Sequence, residues 1–194
     1  MKFSDPKIVE QKARSMMKRQ VELLSRCYGS FQEQGGQYCH SFKNGETLWV
    51  AYEQDKKLVS KVFSTKLTLN IPTTLATPSW KAKLSFFGHC KINGIVWKTD
   101  GKGSAGQGDV LNEKSQLNKA LFQAAREIDL VTIKAEYSAS AQLLKVQIFP
   151  YVGSFIWIKI PPVYYDVPLK SREIAALEKI TAVFSKTFKC DKKG

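Results

Sequence analysis

The sequence predicts an α+β fold: a mainly antiparallel, curved sheet built from hairpins, with an N-terminal, a central and a C-terminal helix packed on it. Three observations predict it. Apolar residues recur at helical spacing only near 5–28, 112–126 and 171–189. Between these stretches lie runs that alternate apolar and polar residues, the period of a strand with one covered face. Asn44-Gly45 and Asn93-Gly94 sit between such runs, and that dipeptide favours a tight hairpin. The resulting order is one helix, five strands, a helix, three strands and a helix, which lacks the strand–helix alternation of a doubly wound sheet. With 194 residues, 43% of them hydrophobic, and no repeat or linker, the chain reads as a single domain over 1–194.

In the first helix, Val9, Ala13, Met16, Gln20, Leu24 and Cys27 share one arc, widened by Met17 and Leu23. Asp5 is placed as the N-cap, Pro6 in the first turn and Gly29 beyond the end. Lys12, Arg19 and Arg26 line the opposite flank. The helix is thus basic and amphipathic, and its apolar arc belongs to the core.

A two-residue turn at Asn44-Gly45 joins strands at 38–43 and 46–53 and sets Lys43 opposite Glu46, Ser41 opposite Leu48 and Cys39 opposite Val50. A long strand follows, with Val59, Phe63, Leu67, Leu69 and Ile71 on one face; Pro72 and Pro78 bracket a loop. From Trp80 the alternation is clear: Trp80, Ala82, Leu84 and Phe86 face one way, Lys81, Lys83 and Ser85 the other. Carried through a two-residue turn at Asn93-Gly94, that parity places Cys90 beside Trp97 and His89 beside Lys98. A glycine-rich loop then leads to a helix capped by Asn112 and striped by Leu117, Leu121, Ala124 and Ile128. Strands at 130–137, 143–149 and 155–160 follow, the last halted by Pro161-Pro162. Ile174, Leu177, Ile180, Phe184 and Phe188 stripe the final helix.

Most motifs that suggest chemistry fail on context. Gly101 to Gly106 spells G-x-G-x-x-G, but a dinucleotide fingerprint needs a buried parallel strand before it and a helix opening within it. Cys39-His40 and His89-Cys90 mimic a metal constellation, yet adjacent strand residues point to opposite faces and cannot share one ion. The acids Asp100, Asp109, Glu127, Asp129, Glu136 and Asp166 form no spaced pair, and no G-x-S-x-G is present. No catalytic residue, metal or cofactor is expected. The four cysteines are widely spread and read as free thiols. No run approaches the ~18 apolar residues of a membrane span, and the N-terminus lacks the apolar run of a secretory signal. A soluble, cytoplasmic protein is expected.

Charge is the loudest signal. The chain carries +13, with seven lysines against one acid in 61–105 and five basic against five acidic residues in 106–150. Lysine attracts anions at long range but lacks the planar fork of arginine. Lys81, Lys83, His89, Lys91, Lys98 and Lys102 are therefore the candidate anion-binding residues, for a nucleic acid, an acidic protein or a phospholipid surface. The bland counterpart is a solvated face that serves solubility alone. The alternative function is a carrier or enzyme with an apolar pocket between sheet and last helix. That pocket is lined by Trp97, Phe155, Trp157, Tyr164, Tyr165 and Phe184 and takes a small molecule. Phe155 and Trp157 near Lys159 also suit base stacking, although on a helix-covered face the same rings are ordinary core.

Overall fold

The computed structural model describes residues 6–87, 93–99 and 109–189. The chain opens with α1 (Pro6–Tyr28), followed by β1 (Gln32–Gln34), β2 (Gln37–Ser41), β3 (Thr47–Lys56), β4 (Ser60–Pro72), β5 (Trp80–Phe87) and β6 (Gly94–Thr99). Two helices, α2 (Asp109–Asn112) and α3 (Ser115–Ala125), lead to β7 (Leu130–Ser138), β8 (Leu143–Pro150), β9 (Phe155–Ile158) and β10 (Val163–Asp166), and α4 (Ser171–Phe188) ends the fold. The α+β architecture is as expected. All strands join one open ten-stranded sheet in the order β1-β2-β3-β4-β8-β7-β5-β6, with β9 pairing both β4 and β10. Every pairing is antiparallel.

The helices cover the inner face. Leu48, Val50, Leu67, Leu69, Ile133, Ala135, Val146 and Ile148 join Leu24, Leu121, Leu177 and Phe184 in the main core. A smaller cluster of Val9, Ala13, Phe63, Phe155 and Trp157 lies under the N-terminal half of α1. The stripe of α4 is buried as its spacing predicts. That of α1 is rotated: Met17 and Val21 are buried with Tyr28, while Met16 is half-buried and Cys27 exposed. Gln20 stays buried as its place on the expected arc implies: its Oε1 accepts the Leu169 N–H at 3.1 Å and pins the entry to α4.

Both hairpin registers differ from expectation. At the first, Tyr38 pairs with Val50, Cys39 with Trp49 and His40 with Leu48, one residue away from a two-residue turn. Phe42 N–H donates to the Glu46 carbonyl at 2.9 Å, and Gly45 takes φ +87°. This is a three-residue loop with glycine in the left-handed position. The slip swaps faces: Cys39 lies against Trp49, and Glu46 turns inward, where its Oε2 accepts the Ser185 hydroxyl of α4 at 2.7 Å.

At the second, Phe87 pairs with Gly94, Leu84 with Trp97 and Lys83 with Lys98. Gly94 is a strand residue rather than a turn residue, and only glycine fits there, because a Cβ would collide with the Phe87 ring of the paired strand. The expected partners His89 and Cys90 lie outside the described residues, as do Lys91, Asp5 and the whole 101–106 motif with Lys102. Asn112 does not cap α3. Its side-chain amide instead accepts the Trp97 N–H at 2.9 Å and donates to the Trp97 carbonyl at 3.1 Å, closing the edge of β6. The strand expected at 155–160 is shorter, and β1 and β10 are additions.

Candidate anion-binding face

The parity read from Trp80 holds over β5: Trp80, Ala82 and Leu84 are buried, Lys81 and Lys83 exposed. The same alternation runs through its neighbours, because each strand in the middle of the sheet has helices on one side only. In β7, Ile133, Ala135 and Tyr137 face the core while Lys134 and Glu136 face outward. In β8, Leu144, Val146 and Ile148 are buried, leaving Lys145, Gln147 and Phe149 outside. In β4, Leu67, Leu69 and Ile71 are buried and Lys66, Thr68 and Asn70 take the outer side.

Pairing then fixes the arrangement. Lys98, Lys83 and Lys134 lie directly opposite one another on three consecutive strands, and the row continues through Gln147, Thr68 and Trp49. The next row holds Lys81, Glu136, Lys145 and Asn70. Strands stand ~4.8 Å apart, so the five strands from β4 to β6 span about 19 Å, and the backbones that carry Lys98, Lys83 and Lys134 are neighbours closer than one Debye length of about 8 Å at physiological salt. Across these five strands the outward charges are Lys66, Lys81, Lys83, Lys98, Lys134 and Lys145 against one carboxylate, Glu136.

Glu136 is committed to Lys81 at 2.7 Å, which takes Lys81 out of the uncompensated set. Lys134 Nζ sits 5.6 Å over the Phe149 ring. Among the described residues no ion pair involves Lys66, Lys83, Lys98, Lys134 or Lys145. Of the six residues expected at the site, the structure therefore brings Lys81, Lys83 and Lys98 together. Lys66, Lys134 and Lys145 join them unannounced.

The aromatic residues of the pocket reading do not converge. Trp97 and Phe184 meet edge to face at 6.2 Å in the main core, and Trp97 Nε1 donates to Asn118 Oδ1 at 3.0 Å. Phe155, Trp157 and Tyr164 belong to the second cluster, and Tyr165 lies on the outward side, 51% exposed. Phe155 and Trp157 are core, as their helix-covered position implies. Among the described residues, open clefts of about 850, 530 and 430 Å³ are lined by none of these six rings. Cys39 and His40 diverge across the sheet, with His40 Nδ1 2.8 Å from the Ser30 carbonyl. No group of three or more metal-ligating side chains occurs among the described residues.

Perturbed acidities occur on the inner side of the sheet. Burial raises the Tyr28 and Tyr52 phenols well above their ordinary value; Tyr52 Oη donates to the Gly153 carbonyl at 3.0 Å. Asp166 is also raised, by burial, against the pull of Arg19. Among the described residues no helix is long and apolar enough to cross a membrane.

Residues 22–188 match the family described as "Protein of unknown function (DUF3156)", and the chain belongs to that family. No curated protein and no solved structure matches it.

Proposed function

We propose that this DUF3156 chain is a non-catalytic binding domain whose outer sheet face engages an anionic partner. One observation carries the reading: the Lys98–Lys83–Lys134 row, with Lys66 and Lys145 beside it and a single carboxylate on the same five strands. Like charges directly opposite across a sheet oppose its folding. Three in succession are a cost to the sheet that an incoming anion relieves. The long stems let the ammonium groups adapt to a phosphate or carboxylate array, and without the arginine fork the attraction is long-range and salt-sensitive.

The test is a salt titration of binding to single-stranded and duplex DNA, to a polyglutamate peptide and to vesicles containing phosphatidylserine. The reading expects binding at low ionic strength that weakens steeply as salt is added, and a shallower dependence in Lys83→Glu/Lys134→Glu. Absence of binding to every one of these polyanions at low salt would end it.

A further inference from the structure

Two hairpin turns lie side by side at one end of the sheet. The turn between β3 and β4 is closed by Lys57 N–H donating to the Ser60 carbonyl at 2.8 Å, and Lys159 N–H of the β9–β10 turn donates to the Val59 carbonyl at 2.8 Å. Their tips are apolar and stand in water: Leu58 is 96% exposed and Ile160 72%. Leu58 makes almost no packing contact that would account for an apolar side chain there. The second tip continues as Pro161-Pro162, two residues with no N–H, so immersing it in hydrocarbon strands fewer backbone donors.

Behind the tips the outward surface of β9 and β10 is apolar, while Asp55 of β3 flanks Val62 on the other side. Val62, Ile156 and Tyr165 form one cross-strand row on β4, β9 and β10, and Ile158 faces Val163 in the next. Lysines ring the tips: Lys56, Lys57, Lys61 and Lys159. Lys57 meets Asp55 and Lys61 meets Glu10, each at 3.7 Å. No ion pair among the described residues engages Lys56 or Lys159. Along β4 the outward side passes from Val62 through Ser64, with Asp55 and Glu53 of β3 opposite them, to the lysines that start at Lys66.

We infer that the paired tips insert into the interfacial layer of an anionic phospholipid bilayer, with Leu58 and Ile160 below the headgroups and Lys56 and Lys159 among the lipid phosphates. Apolar tips that project beyond a collar of cations match a layered partner, apolar inside and anionic at its rim. A nucleic acid or an acidic peptide offers nothing for Leu58 and Ile160 to enter. The inference takes its electrostatic half from the basic-face reading, while insertion of the tips stands on its own geometry.

The experiment uses the full chain and vesicles of phosphatidylcholine with or without phosphatidylserine. Vesicle sedimentation is measured for the wild type, Leu58→Ser/Ile160→Ser and Lys83→Glu/Lys134→Glu. In parallel, Leu58→Trp is tested for a blue shift and for quenching by brominated acyl chains, beyond the wild-type tryptophan response. Binding to phosphatidylserine vesicles is expected to fall about tenfold for each apolar side chain removed, and the tryptophan at position 58 is expected to be quenched. Both tip residues are exposed, so unchanged thermal unfolding of the serine variant certifies its fold.

Undiminished vesicle binding by Leu58→Ser/Ile160→Ser, or a tryptophan at 58 that bound vesicles leave unquenched, would overturn insertion. Binding to DNA or polyglutamate without binding to vesicles would overturn it too, while leaving the basic face intact. Self-association that the serine variant abolishes, with no vesicle binding, would assign the tips to a second copy and equally overturn the inference. Conversely, tip insertion that survives Lys83→Glu/Lys134→Glu unchanged in affinity would sustain it and remove the sheet lysines from the interaction.

Discussion

The two ends of β4 carry opposite outer surfaces on one continuous strand. Around Ser60–Phe63 it pairs with β9, and Val62 lies beside Ile156 on the outward side. Around Leu67–Pro72 it pairs with β8, and Lys66, Thr68 and Asn70 lie beside Gln147 and Lys145. Inward, both ends are ordinary core, since Phe63 and Leu67 are both buried under helices. Covered positions are set by packing, which both ends satisfy alike; the outward positions are not so constrained, and there the two ends diverge into a surface that is apolar toward β9 and β10 and one that is basic. That contrast is the basis for assigning insertion to one end and electrostatic attraction to the other.

The largest expected effect would break the comparison altogether. α1 packs over both clusters, with Val9 and Ala13 in the small one and Met17, Val21 and Leu24 in the main one. Deleting residues 1–28 is expected to abolish cooperative unfolding by circular dichroism, taking both ends of β4 with it. A folded remainder would mean that α1 is an appendage.

Next come the outer surfaces taken separately. Leu58→Ser/Ile160→Ser is expected to lose vesicle affinity about 100-fold, at about tenfold per side chain, yet to keep its DNA and polyglutamate affinity. Lys83→Glu/Lys134→Glu is expected to do the reverse for DNA and polyglutamate, losing affinity mainly at low salt. In Lys83→Glu alone, the repulsion with Lys98 and Lys134 becomes attraction, so its stability in a urea titration is expected to rise by about 0.5 kcal/mol. A variant that binds worse and folds better would show that the lysine row is kept at a cost to the fold.

The smallest effect tests the shared inner side. Tyr52 touches both clusters, and burial, with Asp166 adding to it, raises its phenol above the ordinary value. The native state therefore keeps a proton that the unfolded chain releases above a pH of about 10. The contribution is whole below that pH and declines as pH rises towards the folded value. Tyr52→Phe is expected to lose about 1 kcal/mol at neutral pH through the missing bond to Gly153 and to soften the alkaline decline. An alkaline profile identical to wild type would show that Tyr52 ionises freely in the fold.

Much of this architecture was legible in the sequence. Strict alternation from Trp80 to Ser85 correctly sorted buried from exposed residues, and Lys81, Lys83 and Lys98 share one face as that parity requires. Register was not legible, because Asn-Gly serves two-residue and three-residue loops alike, and the contact of Glu46 with Ser185 that accompanies the three-residue loop comes from a helix 139 residues away. Lys134 and Lys145 were hidden by segment averaging: Glu113, Glu127 and Asp129 cancel them in sequence but stand in the connections around α3. The period of two in 130–137 and 143–149 was the signal that would have revealed them. In β9 the helix covers the Phe155 and Trp157 side, and Ile156 and Ile158 take the other. β1 escaped notice because Gln32–Gln34 has no apolar alternation and is exposed throughout.

The central claim is that the outer lysines act together as an anion-binding face, and the slope of log affinity against log salt for single-stranded DNA and for phosphatidylserine vesicles measures it most directly. Wild type is expected to give a steep negative slope for at least one of these, reduced by about one unit for each of Lys83, Lys98 and Lys134 replaced by glutamine. A wild-type slope near zero, or a triple variant with the wild-type slope, would contradict the account.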